Sequence, residues 1–153
     1  MKKILVLHGV NLNMFGKRDP AQYGTITLAE IDDKLRALGR ELGVKVEAYQ
    51  TNHEGEMCER IHKAHAEKLG AVLVNAGAWT HYSYAIRDAL SILVVPIFEV
   101  HMSNIHAREE FRRHSVIAAI AKGQVCGLGV ESYLLALRAA AADAAKTPPP
   151  GRK

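Results

Sequence analysis

Two short runs in this chain, residues 4–7 (Ile-Leu-Val-Leu) and 71–74 (Ala-Val-Leu-Val), are apolar without a break. A strand with one wet face alternates polar and apolar residues. An unbroken run therefore predicts a strand covered on both faces. The segment between these runs has helical spacing. Leu28, Ile31, Leu35, Leu38 and Leu42 recur three and four apart, so one face of a helix is apolar. Thr27 and Glu30 form a capping box in front of it, and Gly43 is the expected terminator. Residues 44–49 alternate, as in a strand nearer the sheet edge. Residues 56–69 predict a second helix ended by Gly70, and 83–90 a short third. A strand is expected over 96–100, because proline is tolerated at a strand's first position but not in its middle. Residues 107–114 predict another short helix, 124–127 a last strand and 130–144 a closing helix. Residues 8–23, polar and broken by Gly and Pro, predict a long loop.

Strands alternating with helices imply the α/β class, with a parallel sheet and helices on both faces. The expected architecture is a flavodoxin-like three-layer sandwich with five parallel strands in the order 2-1-3-4-5. The chain's 153 residues suit one domain. We assign that domain to residues 1–146, and read 147–153, with three consecutive prolines, as a disordered tail.

Composition narrows the partners. A net charge of +4 favours an anionic ligand. The basic residues are interleaved with acidic ones, and no nucleic-acid module is present, so a small acid is expected rather than a nucleic acid. The first apolar run stops at His8-Gly9, too short for a signal peptide, and no stretch suits a membrane span. Cys58 and Cys126 form no CxxC pair and read as small apolar side chains of a protein in a reducing, cytoplasmic setting. There is no GxGxxG, no phosphate-binding GxxxxGK[ST] and no GxSxG elbow.

In open parallel sheets, ligands bind at the carboxyl ends of the strands. Strand one is followed by Asn11, Asn13, Lys17, Arg18 and Tyr23. The third is followed by Asn75, Gly77, Thr80 and His81, and the fourth by His101, Ser103, Asn104, His106, Arg108 and Arg112. Three such loops should meet on one rim. Arg108 and Arg112, four apart, are expected to share a helix face. They suit a carboxylate ligand, or else a solvated face paired with Glu109 and Glu110. Backbone N–H groups near Ser103 and Asn104, at the start of that helix, offer a further anion site. His101 suits acid–base work, with Glu99 two residues earlier on the same face of the strand. The alternative is a hydrogen-bonded structural histidine. Glu99, His101 and His106 could instead hold a metal, but they lack any zinc spacing, so no metal and no cofactor are expected. His53, His62 and His65 read as surface residues.

These stretches resemble a known family. His8-Gly9-Val10-Asn11-Leu12-Asn13, Arg18-Asp19-Pro20 and Tyr23-Gly24 are similar to the opening of type II 3-dehydroquinate dehydratases. So are residues 52–56, 75–81 (Asn-Ala-Gly-Ala-Trp-Thr-His), 99–112 and Gly127-Leu128-Gly129. The resemblance covers about residues 3–140, with the motifs in order. It implies dehydration of 3-dehydroquinate to 3-dehydroshikimate in the shikimate pathway, or in quinate breakdown. It also implies no metal, no Schiff-base lysine, and a homododecamer built as a tetramer of trimers.

By the same resemblance Tyr23 is the base, Arg18 its activator, His101 the acid and Glu99 its support. Asn11 helps hold a water at the developing enolate. Asn75, His81, Ser103, Arg112 and the backbone of Met102 hold the substrate. Arg108 belongs to the shell, and Asp88 reaches a neighbouring subunit's site. The physics agrees with an activator: a phenol ordinarily ionises near pH 10, and a guanidinium at ~4 Å favours the phenolate by up to about 4 kcal/mol. Val10 stands where the family commonly has proline, Asp19 where it has glutamate, and Met14-Phe15 where it has a leucine pair. The loop from Asn11 to Tyr23 is expected to close over substrate as a lid. Two rival readings remain: a flavodoxin-like binding module without catalysis, and a lyase or isomerase for another hydroxy acid.

Overall fold

The run at residues 4–7 forms the middle of β1 (Lys3–His8). It lies between β2 (Lys45–Gln50) and β3 (Leu69–Asn75), and β4 (Ile97–His101) and β5 (Gly123–Cys126) extend the sheet beyond β3. All neighbours are parallel, in the order β2-β1-β3-β4-β5, as expected. This computed structural model describes residues 1–146, so the tail expected at 147–153 lies outside the described residues.

Alternate residues of β1 serve opposite layers. Ile4 and Val6 pack under α2 (Leu28–Leu42) and α5 (Val130–Lys146), against Leu35, Leu73 and Leu137. Leu5 and Leu7 face α3 (Glu54–His65) and α4 (Tyr84–Ser91), against Ile61, Val74 and Ile86. Because both faces are covered, neither set of side chains is polar. The fold is flavodoxin-like. Among the described residues no helix is long and apolar enough to cross a membrane.

Local signals fared well where they were chemical. Thr27 Oγ1 accepts from the Glu30 N–H at 3.2 Å, and Gly43 ends α2 at φ 72°. Four readings need correction. The helix expected over 56–69 runs over Glu54–His65, and Gly70 is not its terminator but lies within β3. A Cβ on Gly70 would stand 3.0 Å from Ala144 Cβ, so glycine there lets α5 approach the sheet. The loop over 8–23 contains a 3-10 turn at Leu12–Met14 and a short helix, α1 (Pro20–Tyr23), capped by Asp19. The helix expected over 107–114 is two 3-10 turns, Ile105–Ala107 and Glu110–Arg113, with Arg108 extended between them. The cysteines are free and half-buried rather than core.

Candidate active site

Strand order reverses between β1 and β3, where connections leave in opposite directions, and a crevice opens at their carboxyl ends. A cavity of about 130 Å³ lies there. That is room for a small metabolite, well below the several hundred Å³ of sites for drug-sized ligands. Its lining includes Asn11, Arg18 and Tyr23 from the first loop, Asn75 and His81 from the second, and His101, Met102, Ser103, Arg108 and Arg112 from the third. Ten of the twelve expected site residues therefore meet on one cavity. Glu99 stands behind His101, and Asp88 lies apart, exposed on α4 beside Arg87.

Glycines allow the backbones to close at this rim. A Cβ on Gly9 would fall 2.3 Å from the Ala76 carbonyl oxygen. One on Gly77, at φ 59°, would fall 2.7 Å from that of Val10. Asn11 itself is left-handed at φ 67°, a conformation asparagine tolerates. Its N–H donates to Asn52 Oδ1 at 2.8 Å. Val10, in place of the commoner proline, still lines the cavity.

Tyr23 is held on α1, with Phe15 packed against its ring at 5.6 Å between centroids. Two guanidinium groups donate to its Oη: Arg18 Nη2 at 3.0 Å and Arg108 Nη1 at 2.9 Å. Arg108 Nη1 also donates to Ser103 Oγ at 3.1 Å. The expected shared face of Arg108 and Arg112 does not form, because the extended backbone at Arg108 turns that side chain inward to Tyr23. Arg112 instead donates to Glu109 Oε2 at 2.9 Å and still reaches the cavity. The pairing with Glu109 thus forms at Arg112, while both arginines also line the cavity. Asn104 caps the first turn by accepting from the His106 N–H, and a turn of three residues offers no helix-end anion site.

His101 Nε2 lies 2.6 Å from Glu99 Oε2. An ionised carboxylate only accepts, so Nε2 carries the hydrogen and Nδ1 is left for a ligand. Glu99 is fully buried, and two residues the sequence reading did not single out complete its coordination. Ser115 Oγ donates to Oε1 at 2.8 Å, and Gln124 Nε2 donates to Oε2 at 2.6 Å. Burial pushes the Glu99 carboxyl up. Hydrogen bonds from His101, Gln124 and Ser115, with the His101 charge, outweigh this and hold it below the ordinary carboxylate value. Only the position of Gln124 one strand over from Glu99 could have hinted at this.

His81 stacks beside His101, with centroids 6.4 Å apart. Its Nδ1 lies 2.8 Å from the His114 carbonyl oxygen and must donate to it, which makes Nε2 an acceptor in the neutral ring. Burial, with the charges of His101 and Arg112, holds His81 below the ordinary histidine value against the His114 hydrogen bond. Three arginines and neutral His81 thus line the cavity, and Glu99 behind it is already spent on His101. That balance favours an anion. Among the described residues no three His, Cys, Asp or Glu side chains group as a metal ion would need. His53, His62 and His65 are exposed, as expected.

Comparison with known proteins agrees with this frame. The family described as Dehydroquinase class II matches residues 2–141. The chain is 73% identical over 137 residues to the 3-dehydroquinate dehydratase of Leptothrix cholodnii, covering 90% of this chain and 92% of that one. It is 71% identical over 140 residues to that of Syntrophotalea carbinolica, covering 92% and 95%. The crystal structure of type II dehydroquinase from Propionibacterium acnes superposes with a TM-score of 0.90 at 48% identity, covering 93% of this chain and 97% of that one. By fold and kinship the protein is an α/β hydro-lyase. It belongs to the class II dehydroquinase family.

Proposed function

We propose that the protein removes water from 3-dehydroquinate to give 3-dehydroshikimate, in the shikimate pathway of aromatic amino acid biosynthesis. The observation that carries the mechanism is the convergence of two guanidinium donors on Tyr23 Oη, on the same cavity as the Glu99–His101 pair. Both guanidinium groups donate to Tyr23 Oη and fix the place of the base on the cavity. Tyr23 takes the proton beside the substrate ketone, and the electron pair moves onto the ketone oxygen as an enolate. Asn11 helps hold a water against that oxygen. The enolate then re-forms the ketone and expels the hydroxyl at the ring carbon bearing the carboxylate. The imidazolium form of His101 gives that hydroxyl its Nδ1 proton, so it leaves as water, while Glu99 accepts from Nε2 and steadies the ring.

Asn75, His81, Ser103, Arg112 and the Met102 backbone hold the substrate's carboxylate and hydroxyls, and the reaction needs no metal or cofactor. Arg108 is assigned here to Tyr23 as a second activator rather than to the substrate alone. The loop from Asn11 to Tyr23, anchored by buried Leu12 and Phe15, closes over the substrate. The working form is a cytoplasmic homododecamer, a tetramer of trimers, in which exposed Asp88 completes a neighbour's site.

The test mixes purified protein with 3-dehydroquinate and a chelator and follows ultraviolet absorbance of the conjugated product. Turnover that survives the chelator and is lost in Tyr23→Phe supports the reading. Folded, assembled protein without turnover overturns it.

A further inference from the structure

A second carboxylate–histidine pair lies behind the cavity, and the mechanism does not use it. His8, at the end of β1, is fully buried. Its Nε2 lies 2.8 Å from Asp32 Oδ1 on α2, and its Nδ1 lies 2.9 Å from Tyr133 Oη on α5. Tyr133, also fully buried, is 3.0 Å from Asn75 Nδ2, and Asn75 Oδ1 accepts from the Gly77 N–H at 3.2 Å. Asn75 lines the cavity.

We propose that Asp32, His8 and Tyr133 form a positioning chain that fixes which way the Asn75 side-chain amide faces. This rests on the reading above that Asn75 binds the substrate. The directions of the hydrogen bonds can be worked out from either end, and the two results agree. A backbone N–H can only donate, so Gly77 marks the Asn75 oxygen. The amide nitrogen therefore points to Tyr133 and donates. Tyr133 Oη, having accepted, spends its one hydrogen on His8 Nδ1. From the far end, the Asp32 carboxylate can only accept, so His8 carries its hydrogen on Nε2 and offers Nδ1 as an acceptor. Burial pushes the Tyr133 phenol above its ordinary value, with the Asp32 charge adding to this against the Asn75 hydrogen bond, so the hydroxyl remains a donor.

One carboxylate on α2 thereby sets the orientation of an amide three hydrogen bonds away. Reversing the amide would lose the Gly77 bond and set two donors or two acceptors face to face, a costly arrangement inside a protein. The backbone adds to the constraint: His8 and Asn75 pair across the sheet, and the Gly9 N–H donates to the Asn75 carbonyl at 2.7 Å. The free amide hydrogen and lone pair are then presented to the cavity in one pattern only.

The experiment measures kcat, KM and melting temperature for Asn75→Ala, Tyr133→Phe and the double variant. Loss of one ground-state hydrogen bond raises KM without a matching loss in kcat. We expect about a ten-fold rise for Asn75→Ala and about five-fold for Tyr133→Phe, the range of one hydrogen bond. In the Asn75→Ala background Tyr133→Phe then adds nothing to KM. A Tyr133→Phe protein with a lower melting temperature but unchanged KM overturns the positioning chain and leaves the Asn75 contact standing. Unchanged kinetics in Asn75→Ala instead overturns the substrate contact itself, and the chain with it. Should Tyr133→Phe fail to fold, Asp32→Ala at the partly exposed end replaces it, with a smaller rise in KM. An Asp32→Ala effect additive with Asn75→Ala overturns the proposal.

Discussion

The molecule contains two pairs built from the same parts, Glu99–His101 at the end of β4 and Asp32–His8 at the end of β1. Both join a carboxylate to an imidazole Nε2, at 2.6 and 2.8 Å. Both histidines are buried and are the last residues of their strands. They differ at the other ring nitrogen. His8 Nδ1 is taken by Tyr133, whereas His101 Nδ1 is left to the cavity. A histidine with both nitrogens engaged inside the fold is part of a scaffold. One with a single engaged nitrogen can exchange a proton with a ligand. The carboxylate does not decide the role; the fate of the second nitrogen does.

The comparison breaks first at the histidines themselves. His101→Ala is expected to lower kcat by about 10²–10⁴-fold, the usual contribution of a positioned acid. His8→Ala should act mainly on folding. It opens a cavity and strands Tyr133 and Asp32, together worth about 3 kcal/mol or more. It should lower the melting temperature and raise KM. Steady-state kinetics beside thermal melts separates the two. A collapse of kcat in well-folded His8→Ala would erase the distinction.

On the other side of the cavity, Arg18→Ala and Arg108→Ala each remove a charged donor from Tyr23 Oη. Each should lower kcat by about 10–100-fold, the worth of one charge-assisted hydrogen bond. KM should move little for Arg18→Ala and rise for Arg108→Ala, which also frees Ser103. An unchanged kcat in either variant would remove that arginine from the activating pair.

The smallest effect sharpens the comparison through pH. Folding holds the Glu99 carboxyl below the ordinary value of 4.5. Its contribution to stability is therefore complete above about pH 4.5, and is lost as pH falls through the depressed folded-state value. Glu99→Gln should flatten this part of the acid limb, read as melting temperature between about pH 3 and pH 6. A limb identical to wild type would mean that the buried carboxylate does not gain from its three donors.

Much of this was legible in the chain. The first three strands stood out because each contains an unbroken or alternating apolar run. α2 was marked at both ends, by Thr27 and Gly43, because caps are contacts between near neighbours. Even the site could be anticipated, since polar residues directly after parallel strands are carried to one rim by topology. Gly70 misled because a glycine that ends a helix and one that admits a packed helix look alike in sequence. Residues 107–114 misled because Arg108 is held extended by bonds to Tyr23, 85 residues away.

The sequence by itself thus determined the order of the strands and the longer helices, the two-sided burial of the sheet and the set of residues at its carboxyl edge. These follow from period and local capping, which span a few residues. Tertiary structure alone decided how those residues were used. It turned Arg108 to Tyr23 and closed Ser115 and Gln124 around Glu99. It also filled His8 Nδ1 with a tyrosine 125 residues away, while leaving His101 Nδ1 open. Hydrogen bonds have direction, and their partners lie on different elements, so their pattern exists only once the layers have packed.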